Sequence, residues 1–434
     1  MTHQGQAHIR WLRNTAPYIN AHRGKTFVLL IPGEALRHDN IANIAHDIAL
    51  LNTLGVRLVL VHGSRPQINQ RLQQAGLETQ FHNGIRVTDA QAMAQVKDAV
   101  GSLRAQIEAL FSMGLPNSPM QGARFSLVSG NFVIARPIGI VDGVDYLHTG
   151  QVRRIETHAI KRQLDDNAIV LLSSQGYSPT GEVFNLASED VAVQCAASLG
   201  ADKLILFGEQ QGIVDEHGEL VRQCVVGETH ALPVADPAQQ RLLDAARRVC
   251  LAGVERCQII SYQDDCVLLE ELFTYDGCGT LVSRDNFEIS RRATIEDVGG
   301  ILELIEPLEQ RGVLLKRSRE LLENEIGHFR LLERDGRIIA CAALYPFAED
   351  GTGELACVVS HPDYRGGQRG KRLLDELERE AKRLGLSRVF VLTTQTADWF
   401  VEHGFVPAEL DSLPEQKQRL YNLQRRSRVL VKVL

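Results

Sequence analysis

The sequence predicts an α/β chain in two units: a mainly parallel sheet held between helices over residues 1–284, and a smaller α+β unit over residues 285–434. Three observations carry this. First, continuous apolar strands alternate with helical patterns in the N-terminal part, and such strands are buried on both faces, which is the mark of a parallel sheet. Second, near residue 285 the rhythm changes to a helix followed by a hairpin. Third, 434 residues exceed what one ordinary core supports.

Residues 1–24 read as a polar helix with Ile9, Trp11, Leu12 and Tyr18 as its apolar points. The run TFVLLIPG (26–33) is a buried strand ending at a turn. In NIANIAHDIALLNTLG the residues Ile41, Ile44, Ile48 and Leu51 recur at helical spacing, and Gly55 supplies the stop. VRLVLVHGS and PQINQRLQQAG repeat the unit. After a more irregular, β-like region the pattern resumes with AIVLLSSQG (168–176), the helix SEDVAVQCAASLG and the strand DKLILFG, and the unit closes with GTLVS at Ser283. Beyond it comes a strand, then a helix opened by Thr294 with acidic residues in its first turn. HFRLLERDGRIIACAALYPF (328–347) reads as a hairpin turning at Asp335–Gly336.

Composition narrows the function classes. With 44% hydrophobic and 23% charged residues the chain reads as globular and soluble. Basic and acidic residues number 23 and 24 from Phe287 onward and 24 and 30 before it, so neither unit has the cationic excess of a nucleic-acid binder. No apolar run reaches the ~18 residues of a membrane span, and the expected location is cytoplasmic. The eight cysteines form no CxxC pair and the 14 histidines no HExxH, so neither disulfides nor a metal site is expected.

The most informative stretch is ELACVVSHPDYRGGQRGKRLLDEL (354–377), a strand running through an Arg- and Gly-rich turn into a charged amphipathic helix. A helix start offers unpaired N–H groups and a positive dipole end, and glycines let an anion approach the backbone. With AKRLGLSRVFVLTT and WFVEHGF after it, this segment resembles the GCN5-related N-acetyltransferase (GNAT) family, whose turn binds the pyrophosphate of acetyl-CoA. The resemblance implies acetyl-CoA contacts at Arg365, Gly366, Gly367, Gln368, Arg369 and Gly370 and along Val358 and Val359, with Gln368 standing where the family has a glycine. Acetyl transfer needs the acceptor amine to lose a proton, and Glu354, at the start of the central strand, is the candidate base. Phe400 occupies the place of the family's proton-donating Tyr, which leaves Thr393 as the candidate partner of the departing thiolate.

The N-terminal part resembles the amino-acid kinase fold, but Leu30 or a neighbour stands in place of its Lys, Pro32 in place of one glycine, and Ser64 and Arg65 in place of two more. A phosphate cradle needs those glycines and a cation, so kinase chemistry is not expected. A kinase-like unit fused to a GNAT unit resembles the bacterial N-acetylglutamate synthase family. That resemblance implies transfer of an acetyl group from acetyl-CoA, a substrate and not a cofactor, to the amino group of L-glutamate in arginine biosynthesis, with L-arginine as inhibitor. A dicarboxylate calls for guanidinium forks. Arg317 and Arg425 are the implied pair, with Arg426 an alternative to the second and Cys357 as a backbone contact. LLEELFTYDGCGT (268–280) looks like an arginine-site segment, implying Glu271, Gly277 and Gly279 with Tyr18 and Ser261. A homo-oligomer, a hexamer, is also implied. The competing readings are an active N-acetylglutamate kinase with a GNAT appendage, and a sensor that binds amino acids without catalysis.

Overall fold

The computed structural model describes residues 13, 15–113, 122, 125–227, 229, 232, 234–274, 277–284, 288–334, 337–364, 368–420 and 427–434, and divides into two compact units, Met1–Asp285 and Asn286–Leu434. In the first, the chain runs β1 (Thr26–Ile31), α1 (Ile41–Thr53), β2 (Arg57–His62), α2 (Arg65–Gln74), α3 (Ala90–Ser112), β3 (Leu127–Ser129), β4 (Ile169–Ser173), α4 (Ser188–Leu199), β5 (Lys203–Gly208), β6 (Gln223–Val225), α5 (Pro237–Leu251), β7 (Arg256–Ser261), α6 (Val267–Phe273) and β8 (Thr280–Ser283). The sheet order is β6-β8-β7-β5-β1-β2-β4-β3, and the neighbours from β7 to β3 are all parallel. Side chains that alternate along a strand divide between two cores. Val28, Leu30, Val59 and Val61 pack with α4 and α5, whereas Phe27, Leu29, Leu58 and Leu60 pack with α1 and α6.

The expected irregular β-like region departs from that description. It contains the 23-residue α3, whose Met93, Val96, Val100, Leu103, Ile107 and Phe111 are buried at helical spacing. Asp89 caps its start, Oδ1 accepting from Ala92 N at 2.7 Å. The β content there is the edge strand β3, two short hairpins (Gln80–His82 with Ile85–Val87, and Ile140–Val141 with Val144–Asp145), and the strands Val133–Pro137 and Gly150–Ile155, which join Gln175–Tyr177 and Val183–Asn185 in a separate four-stranded sheet.

The second unit continues with β9 (Glu288–Arg292), α7 (Val298–Gln310), α8 (Arg319–Glu325), β10 (Phe329–Arg334), β11 (Arg337–Phe347), β12 (Thr352–Ser360), α9 (Arg369–Arg383), β13 (Arg388–Thr393), α10 (Ala397–Glu402), β14 (Val406–Ala408), α11 (Glu415–Leu420) and β15 (Arg428–Val433). Its sheet is ordered β9-β10-β11-β12-β13-β15-β14, and among these β12 and β13 form the parallel pair. Arg334 pairs with Arg337 in the expected hairpin, whose Asp335–Gly336 turn lies outside the described residues. Helix α7 buries Val298, Ile301, Leu304 and Ile305 on one sheet face. Helix α9 buries Leu373, Leu374, Leu377 and Ala381, at i, i+1, i+4 and i+8, against β10, β11 and β12.

The entry to α7 is fixed by an ion pair and a cap together. Asp297 accepts from both guanidinium nitrogens of Arg291 at 2.7 and 2.8 Å and from the Thr294 backbone N–H at 2.8 Å. Those bonds, the Arg291 pair foremost, hold the Asp297 carboxyl at about 2. A folded-state pKa below the unfolded one gives stability that is present above the ordinary carboxylate range and lost as pH falls toward 2. Asp297→Asn is therefore expected to destabilise this unit by about 1–2 kcal/mol at neutral pH, a figure discounted because Arg291 is a third exposed. Amide hydrogen exchange in Asn286–Leu434 should show the gap between the two proteins at pH 5–7 and its narrowing as the unfolding measurement is taken from pH 4 toward pH 2.

Candidate active site

The site in the second unit is built where β12 and β13 part. Their ladder runs from Thr352↔Arg388 to Leu355↔Val391, while β12 continues to Ser360. On the other side of β12 the register with β11 shifts between Cys341 and Ala343, leaving an extra residue on β12. Cys357 sits in that bulge with φ 50. Beyond Leu355 the edge of β12 that faced β13 has no ladder partner, and an extended ligand can pair with such an edge.

Glu354 is the third residue of β12, one position before the ladder ends, and is 7% exposed. Its expected place at a strand end thus becomes a buried one. Across the β11 ladder it lies opposite Tyr345, so both side chains share one face. Tyr345 donates its hydroxyl to Glu325 Oε2 at 2.8 Å, and burial followed by that bond pushes its pKa up. Arg317 joins this group. Burial works against its charge, but nearby Cys357, Tyr345 and Glu354 outweigh that and raise its pKa. The Cys357 thiol is pushed up to about 11, chiefly by burial, so it is a neutral group at pH 7. The structure therefore brings Glu354, Arg317 and Cys357 together, whereas Arg425 and Arg426 lie outside the described residues.

Sequence reasoning missed two neighbours of Glu354. Lys417, on α11, places its ammonium 2.5 Å from Glu354 Oε2. Its hexapeptide EQKQRL carries no motif, and nothing in the sequence flags it. Tyr345 was findable, because counting outward from the turn at residues 348–351 between β11 and β12 sets it opposite Glu354.

At the turn after β12, Arg365, Gly366 and Gly367 lie outside the described residues. Gln368 is described: it is the N-cap of α9, with φ 55 and ψ 18 in the left-handed region. The non-glycine residue thus keeps the backbone path that a glycine would take. The Arg369 guanidinium is engaged within the protein, Nε donating to Glu288 Oε1 at 2.7 Å and Nη1 to Tyr364 O at 3.1 Å. Among the described residues, backbone N–H groups and the helix dipole are what α9 presents there to an anion. Gly370 faces the ring of Trp399, and a Cβ on it would lie 3.2 Å from Cζ2. Val358 is half-buried, while the Val359 side chain belongs to the core under α7. Thr393 ends β13, its Oγ1 2.9 Å from Thr396 Oγ1 and accepting from Thr396 N at 3.1 Å. Phe400 is buried against Trp399 and Phe405.

In the first unit, Glu271 on α6 turns into the protein, where Oε2 accepts from Cys278 N at 2.9 Å and Gly279 N at 3.0 Å. A Cβ on Gly279 would stand 2.2 Å from Ile259 O, so no other residue fits there, while one on Gly277, where φ is 60, would stand 2.4 Å from Glu271 Oε2 and displace that carboxylate. Burial pushes the Glu271 carboxyl up despite those N–H donors and the cations Lys203 and Arg222. Ser261 closes β7 and donates to Glu209 O at 3.1 Å. Tyr18 is half-buried on the helix 15–22, which is tied to α6 by His22 Nε2 at 2.8 Å from Leu272 O. The kinase-type cradle is filled. Gln67 Nε2 donates to Gly33 O at 2.7 Å, Leu30 is core, and Ser64 Oγ meets Ser174 Oγ at 2.6 Å. Arg65 Nη2 faces Glu189 at 4.0 Å. Among the described residues no cluster of metal-ligating side chains and no helix long and apolar enough to cross a membrane is found.

Comparison with known proteins matches the amino acid kinase family over residues 25–261 and the acetyltransferase (GNAT) family over residues 300–405. An amino-acid acetyltransferase of Azotobacter vinelandii is 57% identical over 429 residues, spanning 98% of this chain and 99% of the relative. One from Pseudomonas putida is 55% identical with the same coverage. Among solved structures, N-acetylglutamate synthase from Neisseria gonorrhoeae complexed with coenzyme A and L-arginine aligns with a TM-score of 0.87 at 38% identity, over 98% of this chain and 99% of that one. The same enzyme complexed with coenzyme A and N-acetyl-glutamate aligns at 0.63 with the same identity and coverage.

The left-handed Gln368 makes a stability prediction. A side chain in that region costs about 1–2 kcal/mol, part of which glycine returns through its freer unfolded chain. Gln368→Gly should leave the thermal midpoint unchanged or raise it, and Gln368→Val should lower it; a Val variant as stable as the parent would contradict the conformation.

Proposed function

Because the chain belongs to the amino-acid acetyltransferases, an amino acid kinase family unit joined to a GNAT unit, we propose that it moves the acetyl group of acetyl-CoA to the amino group of L-glutamate and that L-arginine inhibits it. The observation that carries the reaction is the buried carboxylate of Glu354 beside the parted strands. Acetyl-CoA enters with its pantetheine arm along the unpaired edge at Val358 and Val359 and its pyrophosphate at the start of α9. Glutamate offers one carboxylate to Arg317 and its amine to Glu354. The amine nitrogen bonds to the thioester carbonyl carbon, its proton passes to Glu354, and the C–S bond breaks. The thiolate leaves beside the Thr393 hydroxyl, whose hydrogen bond stabilises it, and takes its proton from solvent water. Arg425 or Arg426 serves the second carboxylate.

The direct experiment presents purified protein with acetyl-CoA and each amino acid in turn while free thiol is followed, with ATP-dependent phosphorylation assayed in parallel. Glutamate-dependent thiol release without phosphorylation is the expected result. Glu354→Gln should lower kcat by roughly 10²-fold or more while coenzyme A still binds. A kcat near that of the parent across pH 6–9 would remove Glu354 from the role of base.

For inhibition, the two backbone N–H groups held by Glu271 advise against truncation, which would leave them unpaired. Glu271→Gln keeps an acceptor and removes the charge. A charged partner of a guanidinium is worth about 1.5–3 kcal/mol, so arginine inhibition should shift about tenfold or more to higher arginine with activity in its absence intact. Linkage requires that acetyl-CoA and glutamate weaken arginine binding as much as arginine weakens theirs, which calorimetry measures. Inhibition of the variant at unchanged arginine concentration would contradict the assignment.

A further inference from the structure

We propose that Lys417 is a positioning residue for Glu354: its ammonium holds Oε2 of the carboxylate and so turns Oε1 toward the incoming amine. The proposal rests on the reading of Glu354 as the base. The side chains of the pair are 26% and 10% exposed, which sets it apart from the outward pair on the same helix, Arg419 and Glu415, at 79% and 83%. Residues two apart on a helix lie about 200° apart around its axis, so the helix that shows 415 and 419 to solvent must turn 417 inward. Among the described residues Glu354 is the carboxylate paired with Lys417.

The helix is docked to make that contact. Leu413, just before it, is buried with Phe390 and Val429, and Phe390 is the β13 residue in register with Glu354. Gln418 Nε2 donates to Leu413 O at 2.7 Å and to Asp411 O at 3.3 Å, and Lys417 N donates to Pro414 O at 2.8 Å, so the turn into the helix is pinned by its own chain. A carboxylate with one oxygen tied to a fixed cation cannot spin freely about its last torsion, and a proton acceptor works only from a held geometry. Among the described residues Arg317 is a second cation that interacts with Glu354, and it does so from the loop before α8 and beside Cys357. Two cations on different elements thus leave Glu354 anchored from one direction and the substrate carboxylate attracted from another.

The test is a double-mutant cycle in the full chain, with Lys417→Met and Lys417→Arg made in the parent and in the Glu354→Gln background, and kcat and both KM values measured. Lys417→Met should lower kcat about tenfold or more and leave KM for acetyl-CoA within about twofold, while Lys417→Arg recovers most of the loss. In the Glu354→Gln background Lys417→Met should change kcat less than about twofold, because its route of action is gone. A full effect persisting in that background overturns the proposal, as does a rise in KM for glutamate with kcat unchanged, which would make Lys417 a ligand of the substrate. If the Met variant does not fold, Lys417→Gln is measured in its place against the same criteria. Glu354→Gln with parental kcat would instead overturn the base itself.

Discussion

The parallel pairing of β12 with β13 in an otherwise antiparallel sheet is the constraint from which the second unit's site follows. A parallel neighbour cannot be reached by a hairpin and needs a crossover, here α9. The crossover helix must start where β12 ends, so topology alone brings a helix N-terminus to the end of the sheet where the two strands part. The bulge at Cys357 adds local twist at that same point and ends the ladder after Leu355. Unpaired strand edge, helix start and buried carboxylate therefore share a location for one reason. Each would be a liability elsewhere, since buried backbone groups and charges must find partners.

In the first unit the same kind of parallel sheet end has been put to a different use. The turn after β1 is packed against Pro66 and Gln67, and the start of α2 presents Arg65 to Glu189 rather than to an open cradle. Filling of that kind removes the space a nucleotide's phosphates would need, which supports a binding module without phosphoryl transfer. On α6, Glu271 is held by two backbone N–H groups at Oε2, which leaves Oε1 for the guanidinium of the proposed inhibitor. The cations around it, the buried Lys203 and the exposed Arg222, offset part of the cost of burying that carboxylate.

What the sequence disclosed tracks how local the cause was. Alternation and apolar runs identified β1, β2, β4 and β5 because burial on both faces writes itself into consecutive residues. The Asp335–Gly336 turn marked the hairpin because its chemistry is confined to two positions. The long α3 was legible as well, since Met93, Val96, Val100, Leu103 and Ile107 keep a helical spacing, although it lies inside the stretch described only as irregular and β-like. Gln368 shows the reverse case: the motif had lost its glycine, but the left-handed conformation survived because flanking structure enforces it. Lys417 is the residue no pattern reveals. Its contact with Glu354 spans 63 positions and depends on how Leu413 docks, a tertiary fact with no local trace.

The chemistry of the leaving group explains why Phe400 is compatible with the proposed transfer. An amine must shed a proton before or as it attacks, and its ordinary pKa is about 10, so a held base is indispensable near neutral pH. A thiol of ordinary pKa about 8.5 leaves as a thiolate that is already a tolerable anion, and a hydrogen bond lowers its cost further. The two proton transfers are therefore unequal, and the site invests accordingly. Glu354 is buried, in register and tied to Lys417, whereas the position of a possible acid is given to an aromatic cluster of Trp399, Phe400 and Phe405 that packs α10. Thr393, whose hydroxyl already meets Thr396, is sufficient for a partner that needs only stabilisation. Restoring a phenol at position 400 would add an acid to the step that least requires one.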